Sequence, residues 1–162
     1  MRIHTLQTEL WMPRPLAEVF PFFSDAANLE ELTPPWLNFQ ILTPLPIEMK
    51  PGVMIDYQIR YRVVPIRWRT EIQVWEPPYR FVDRQIRGPY RQWIHEHTFE
   101  EKDGGTLMRD RVDYAVPGWI FEPLVHAWIV GPDVRAIFAY REKNMRELFG
   151  SPAPAGQVSE KF

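Results

Sequence analysis

The sequence predicts an α+β fold: a curved antiparallel sheet of about seven strands wrapped around one long C-terminal helix. Three observations carry this. Several segments alternate apolar and polar residues with a period of two, the mark of strands with one buried face. The connectors between them are short, which makes strands adjacent in sequence neighbours in the sheet. After Gly118 the period becomes helical and stays so to Gly150.

Residues 3–11 read as the first strand, ending at Pro13 and Pro15. PLAEVFPFF reads as a short helix, with Pro15 suited to its first turn and Pro21 limiting it. Ser24 or Asp25 can cap a second short helix, AANLEEL, which stops before Pro34 and Pro35. Strand candidates follow at 38–43, 53–61, 66–75, 80–87, 91–101 and 105–115. VMIDYQIRY places Val53, Ile55, Tyr57, Ile59 and Tyr61 on one face; IRWRTEIQV places Ile66, Trp68, Thr70, Ile72 and Val74 on one face. The segment 119–130 is apolar nearly all round, and Gly131–Pro132 should kink or break it. A helix over 133–149 then stops at Gly150. Residues 1–150 are expected to form a single domain, and 151–162, of linker-like composition, a disordered tail. The two short helices would close one end of the sheet, leaving space between sheet and long helix for a ligand.

The composition is that of a soluble globular chain, 45% hydrophobic and 25% charged. Aromatic content is high, with seven Trp and ten Phe, which fill cores but also line cavities for apolar ligands. A formal net charge of −2 without any basic block argues against a nucleic-acid binder. The absence of cysteine excludes disulfides, thiol catalysis and thiolate metal sites. The start lacks the apolar core of a signal peptide, and 119–130 is too short to span a bilayer. No membrane insertion and a cytoplasmic location are the expectation.

The chemistry concentrates in RQWIHEHTFE, residues 91–100, which puts Trp93, His95, His97 and Phe99 on one face. A hairpin loop centred on Asp103–Gly104 pairs Lys102 with Gly105 and sets the ladder: Phe99 opposite Met108, His97 opposite Asp110, His95 opposite Val112, Trp93 opposite Tyr114. The same register sets Glu96 opposite Arg111 on the outer face, a sensible ion pair. Asp110 is then an inward carboxylate that needs a partner, and His97 is the natural one. In FVDRQIR the EPPY loop favours Phe81, Asp83 and Gln85 inward, the GP turn the other face; one bulge must reconcile them. On the long helix Val134, Ile137, Phe138, Met145, Leu148 and Phe149 form an apolar stripe with Arg141 in its middle, free to snorkel outward or to meet an interior anion.

The stretches NLEELTPPWLNFQI, FVDRQIRGPYRQWIHEHTF, GGTLMRDRVDYAVPG and AIFAYREKNMRELFG also resemble the START-like superfamily called SRPBCC, in its bacterial ligand-binding, polyketide cyclase/dehydrase-like branch. The resemblance covers about residues 1–150. It implies the helix-grip fold and a deep apolar cavity between sheet and C-terminal helix. The branch's motifs fall on Phe81, Asp83, Gln85, Gly88, Pro89, Trp93, His95, His97 and Phe99, on Thr106, Met108 and Asp110, and on Tyr140 and Arg141. The resemblance favours Asp83 and Gln85 facing inward. Superfamily members include carriers, receptors, cyclases and oxygenase domains, so fold does not fix function.

The site residues expected to touch a ligand are Tyr57, Trp68, Asp83, Gln85, Trp93, His95, His97, Phe99, Met108, Asp110, Tyr114 and Arg141, the ligand being a small hydrophobic molecule, aromatic or lipid-like. For His95 and His97 four readings stand side by side: a structural polar network with Asp110, Asp83 and Arg141, ligand anchors, general acid/base groups, or zinc ligands with a nearby Asp. The catalytic candidates are His97, Asp110 and His95, in a cyclase or dehydratase using a His–Asp pair. No metal and no cofactor are expected, since the nearby Arg would oppose a metal ion. The segment 119–130 reads as helix packed on sheet, as a gate over the cavity, or as a homodimer contact. His4 and His126 stand without neighbours in sequence that suggest a role.

Overall fold

The computed structural model describes residues 2–61, 63–117 and 119–151. Seven antiparallel strands run β1 (His4–Met12), β2 (Gln40–Ile41), β3 (Met54–Tyr61), β4 (Val64–Glu76), β5 (Arg80–Arg87), β6 (Gln92–Lys102) and β7 (Gly105–Ala115). Their order in the sheet is β1-β7-β6-β5-β4-β3-β2, so every consecutive pair from β2 to β7 is a neighbour pair and only β1 closes across the chain, onto β7. Between β1 and β2 lie α1 (Leu16–Ser24), a 3₁₀ turn at Ala26–Asn28 leading into α2 (Leu29–Leu32), and a second 3₁₀ turn at Pro35–Leu37. The strand expected at 38–43 shrinks to two residues because this second turn ends on Asn38 in the left-handed region, φ 42°. The cap of the second helical segment is Asp25, whose carboxylate accepts from the Ala27 N–H at 2.9 Å.

The β6–β7 ladder has the register expected from the Asp103–Gly104 turn, including His97 opposite Asp110 and His95 opposite Val112. Both turn residues have positive φ, 52° and 75°, as a two-residue turn of this hand requires. The expected bulge is two irregularities, and both lie between β4 and β5. Ile72 pairs with Asp83 and Val74 with Val82, so Gln73 is an extra residue on β4; Thr70 pairs with Gln85 and Arg69 with Arg87, so Ile86 is extra on β5. The first shifts β4's inward set from Trp68, Thr70 and Ile72 to Trp75, which pairs with Phe81 and packs against the core. The supposed conflict at the GP turn disappears because the β5–β6 ladder stops at Arg84–Ile94, leaving a longer connection than a tight turn.

A 3₁₀ turn at Trp119–Phe121 leads into α3 (Glu122–Val125), a π-helical turn (His126–Val130) and α4 (Gly131–Phe149), which form one continuous run of helix. Gly131–Pro132 therefore does not break it. Pro132 has no N–H for the preceding turn and its ring crowds the carbonyl there; the widened π turn, in which the Gly131 N–H reaches back to the His126 carbonyl, accommodates both. Gly118 and the tail from Pro152 to Phe162 lie outside the described residues, so the tail expected at 151–162 is represented only by Ser151. No helix among the described residues is long and apolar enough to cross a membrane.

Three packed groups surround a central space. Around α1, Val19, Phe20 and Phe23 meet Leu10, Met12, Phe81, Phe99, Met108 and Met145. Val134 and Phe138 of α4 meet Val112, Tyr114 and Val116. Ala26, Ile55 and Ile72 form the third, beneath α2 and the loop before β3. On α4 the buried positions are Gly131, Val134, Phe138, Arg141 and Met145, while Leu148, expected in the apolar stripe, is 46% exposed at the C-terminal end.

Candidate functional site

The space between the concave face of β3–β6 and α4 is a cavity of about 540 Å³. Its aromatic wall is built by alternation along β3, β4 and β6. Tyr57 and Trp68, paired across the ladder, stack at 5.7 Å and 19°; Trp93 stands perpendicular to Trp68 at 5.5 Å. The Tyr57 hydroxyl lies 3.1 Å from Thr70 Oγ1, and burial together with the Asp83 charge pushes its ionisation far up, so it stays neutral. Trp36 and Ile129 line the cavity and are also exposed, which locates the mouth beside the π turn.

One wall is polar. His95 and His97 alternate inward from β6 with ring centroids 3.8 Å apart, and His97 stacks on Phe81 at 4.1 Å. Asp83, on the neighbouring strand, puts Oδ2 3.1 Å from His97 Nε2 and 3.7 Å from His95 Nδ1. Asp110, on the other neighbour, puts Oδ1 3.1 Å from His95 Nε2 and 2.8 Å from His97 Nδ1. The second of these is close but misaligned: the His97 Nδ1–H has no hydrogen-bond acceptor in line. The other oxygen of Asp110 faces Arg141 Nε at 3.7 Å, a separation for charge attraction and not for a hydrogen bond.

The charges sort themselves. Burial and the neighbouring His97 charge hold His95 below its ordinary value, so it is neutral near pH 7. Burial also opposes charge on His97, but the Asp110 carboxylate and the contacts with both aspartates outweigh it and raise His97. Asp110 is fully buried, which disfavours its charge, yet Arg141 and His97 hold it well below the usual carboxylate range. The wall therefore carries a compensated set of ions, with neutral His95 against the cavity.

Seven of the twelve expected ligand contacts line this cavity: Tyr57, Trp68, Asp83, Trp93, His95, His97 and Arg141. The other five lie elsewhere. Asp110 is 3% exposed, behind the two histidines. Phe99 and Met108 belong to the core packed by α1, and Tyr114 to the core under α4, because sheet curvature brings helices down on both ends of the inward face. Gln85 turns to the loop, donating through Nε2 to the Tyr90 carbonyl at 2.7 Å and accepting from the Tyr90 N–H at 3.3 Å. Gln85 thus positions Tyr90, which does line the cavity. The bare Cα of Gly88 leaves room for that amide.

The sequence profile of the family described as "Polyketide cyclase / dehydrase and lipid transport" matches residues 12–136. The chain belongs to that family. The matched stretch holds all four His and Asp members of the polar wall, while Arg141 falls just beyond it. The family's START-like, SRPBCC fold also recurs in solved structures. Protein CV1439 from Chromobacterium violaceum is 12% identical, with 91% of this chain and 98% of that one covered and a TM-score of 0.71. Ginseng major latex-like protein 151 from Panax ginseng is 9% identical over 91% and 97%, with a TM-score of 0.65. The di-domain ARO/CYC StfQ from the steffimycin biosynthetic pathway is 12% identical over 91% and 52%, with a TM-score of 0.64. At these identities the likeness is one of fold. The sequence matches no curated protein.

Several cavity groups of this family member escaped sequence reading. Trp36, in the 3₁₀ turn, and Tyr90, on the β5–β6 connection, each directly follow a proline, where no alternation assigns a face. Asp133, at the start of α4, is another, and it accepts from the hydroxyl of Tyr61, which alternation along β3 turns inward, at 2.7 Å. His4 and His126 do have company: their rings stack at 3.4 Å and 7°, His4 Nε2 donates to Glu122 at 2.5 Å, and the Tyr114 hydroxyl lies 2.9 Å from His126 Nε2. Those partners are more than a hundred positions from His4, beyond any local spacing.

Proposed function

We propose that the protein binds one small hydrophobic molecule, aromatic or lipid-like, in the cavity between the sheet and α4. The carrying observation is the cavity itself, about 540 Å³ and walled by stacked aromatics with its charged groups confined to one side. That volume falls within the range of roughly 300–1,000 Å³ common for small-molecule sites. One buried donor of the aromatic wall, Trp68 Nε1, has no hydrogen-bond acceptor, and a ligand oxygen would supply one. Membership of a family whose description joins cyclases, dehydrases and lipid transport supports the reading without choosing the ligand. Native mass spectrometry of purified protein, followed by titration of Trp fluorescence with apolar aromatic and acyl compounds, tests it. Bound mass or saturable quenching is expected; an empty protein that binds none of the series would overturn the proposal.

A second reading, an enzyme of the cyclase or dehydratase type, is favoured by one feature. His95 lies against the cavity while Asp110, fully enclosed, fixes its ring from behind. Under this reading His95→Ala removes turnover of a substrate that still binds. The exposed Phe121, Leu124 and Trp128 beside the mouth support a homodimer contact, which Trp128→Glu would dissolve on size exclusion.

A further inference from the structure

We infer that Asp83, His95 and His97 form a site for one divalent transition-metal ion of the zinc type, open to the cavity. This goes beyond hydrophobic binding and stands on separate observations. Each of the three residues offers one ligand atom, and these atoms all lie within 4.8 Å of one another. Metal–ligand bonds of about 2.0–2.2 Å place neighbouring ligand atoms of a tetrahedron roughly 3.3 Å apart. The separations already present, 3.1 Å from Asp83 Oδ2 to His97 Nε2 and 3.7 Å to His95 Nδ1, bracket that spacing.

The orientation of the rings is the second observation. Each histidine turns one nitrogen to Asp83 and the other to Asp110: His95 offers Nδ1 forward and Nε2 back, His97 Nε2 forward and Nδ1 back. Histidines that hold a metal characteristically give their far ring nitrogen to a carboxylate, which fixes the tautomer and raises the basicity of the near one. Here Asp110 Oδ1 is hydrogen-bonded to His95 Nε2 at 3.1 Å and lies 2.8 Å from His97 Nδ1, out of line for a hydrogen bond until the ring turns.

Arg141 does not stand in the way. Its Nε faces Asp110 Oδ2, the oxygen turned away from the histidines. The guanidinium thus offsets the carboxylate behind the rings and leaves Asp83 as the anionic ligand. All three ligating residues line the cavity. Three protein ligands are the number typical of sites that keep a position open, and that position would face the ligand cavity. Two histidines and one carboxylate also suit Fe(II), Co(II) and Mn(II), so the chemistry defines a class of ion and zinc serves as the probe.

The test uses tag-free protein stripped with EDTA and dialysed. Calorimetric titration with Zn²⁺ should give one ion per chain, and Co²⁺ should develop the visible bands of a low-symmetry nitrogen and oxygen site. Asp83→Ala and His95→Ala should each lower affinity at least a hundredfold, and Asp110→Asn by about 10- to 100-fold. Far-UV circular dichroism checks that each variant folds; the more conservative Asp83→Asn and His95→Gln replace any alanine variant that does not. Failure of wild-type protein to take up Zn²⁺ or Co²⁺ at ten times its own concentration would overturn the site. So would uptake that persists unchanged in folded Asp83 and His95 variants. Binding of an apolar probe in EDTA is measured in parallel, so loss of the metal site and loss of the ligand cavity read out separately.

Discussion

At the scale of single residues, Asp110 is the hub. It touches both histidines and faces Arg141, and it is buried to 3% exposure. Asp110→Ala leaves buried cationic groups uncompensated and is expected to cost about 3–5 kcal/mol, measurable by urea denaturation at pH 7. Met108→Ala, at 1% exposure in the α1 core, should cost about 2–5 kcal/mol through the cavity it leaves, without altering ligand binding. Trp68→Phe keeps an aromatic face but loses the pyrrole ring with its unpartnered N–H, so affinity for an oxygen-bearing ligand should fall about fivefold in a protein that still folds. The inward face of β6 was legible because alternation and a two-residue turn leave one register. What was not legible is how far each side chain lies from the helices. Phe99 and Met108 share the face of His97 but meet α1, a contact set by tertiary packing and not by spacing.

At the scale of elements, the joint between α3, the π turn and β1 is a clasp of titratable groups. Glu122 is held below its ordinary value first by the hydrogen bond from His4, and His126 below its own first by burial and then by the His4 charge. Arg2, Arg135 and the Tyr114 hydroxyl complete the surroundings. The sign for both is the same. When His126 is freed of its packing it binds a proton near 6.5, whereas the docked ring resists it; the docked state therefore loses stability as pH falls below 6.5. Glu122 contributes stability above 4.5 that is lost as pH falls through its depressed value. Protection factors of residues 120–130 in hydrogen exchange, taken against the slower intrinsic exchange at lower pH, are expected to fall between pH 7.5 and 5, and protection that stays constant would contradict the clasp. At the opposite end, Gly105 lies under Trp11, and a Cβ there would run into the Met12 carbonyl oxygen. Gly105→Ala should cost about 1–3 kcal/mol by forcing β1 and β7 apart, seen as a lower melting temperature. Strand order, hairpin register and helix order were readable from period and turn chemistry. The two bulges and the π turn were not, since an extra residue leaves no trace in composition and only the paired strand or the neighbouring turn reveals it.

At the scale of the whole molecule, the sheet is a simple meander from β2 to β7 and depends on one distant pairing, β1 with β7. Glu9 and Arg109, 100 positions apart, form one of its outer ion pairs, and His4–Met12 is paired along its full length. Removing residues 1–12 should strip β7 of its outer partner and abolish cooperative unfolding, with dye binding to the exposed apolar face; a sharp transition in the shortened chain would refute this. The fold class could be read early because every other strand pairing joins neighbours in sequence. The cavity could be anticipated only as a space, since its polar wall gathers residues from β5, β6, β7 and α4. That gathering also fixes a timetable. A ribosome delivers about 5–20 residues per second, so β1 waits roughly 5–20 seconds for β7 to emerge. Through that interval Leu6, Leu10 and Met12 have no sheet to lie on. Asp83 is made first, then His95, His97 and Asp110, and Arg141 last of all. A nascent chain paused before residue 105 holds strands with an open edge and histidines with half their carboxylates, which makes the closing stretch of synthesis the moment at which this protein most needs a chaperone.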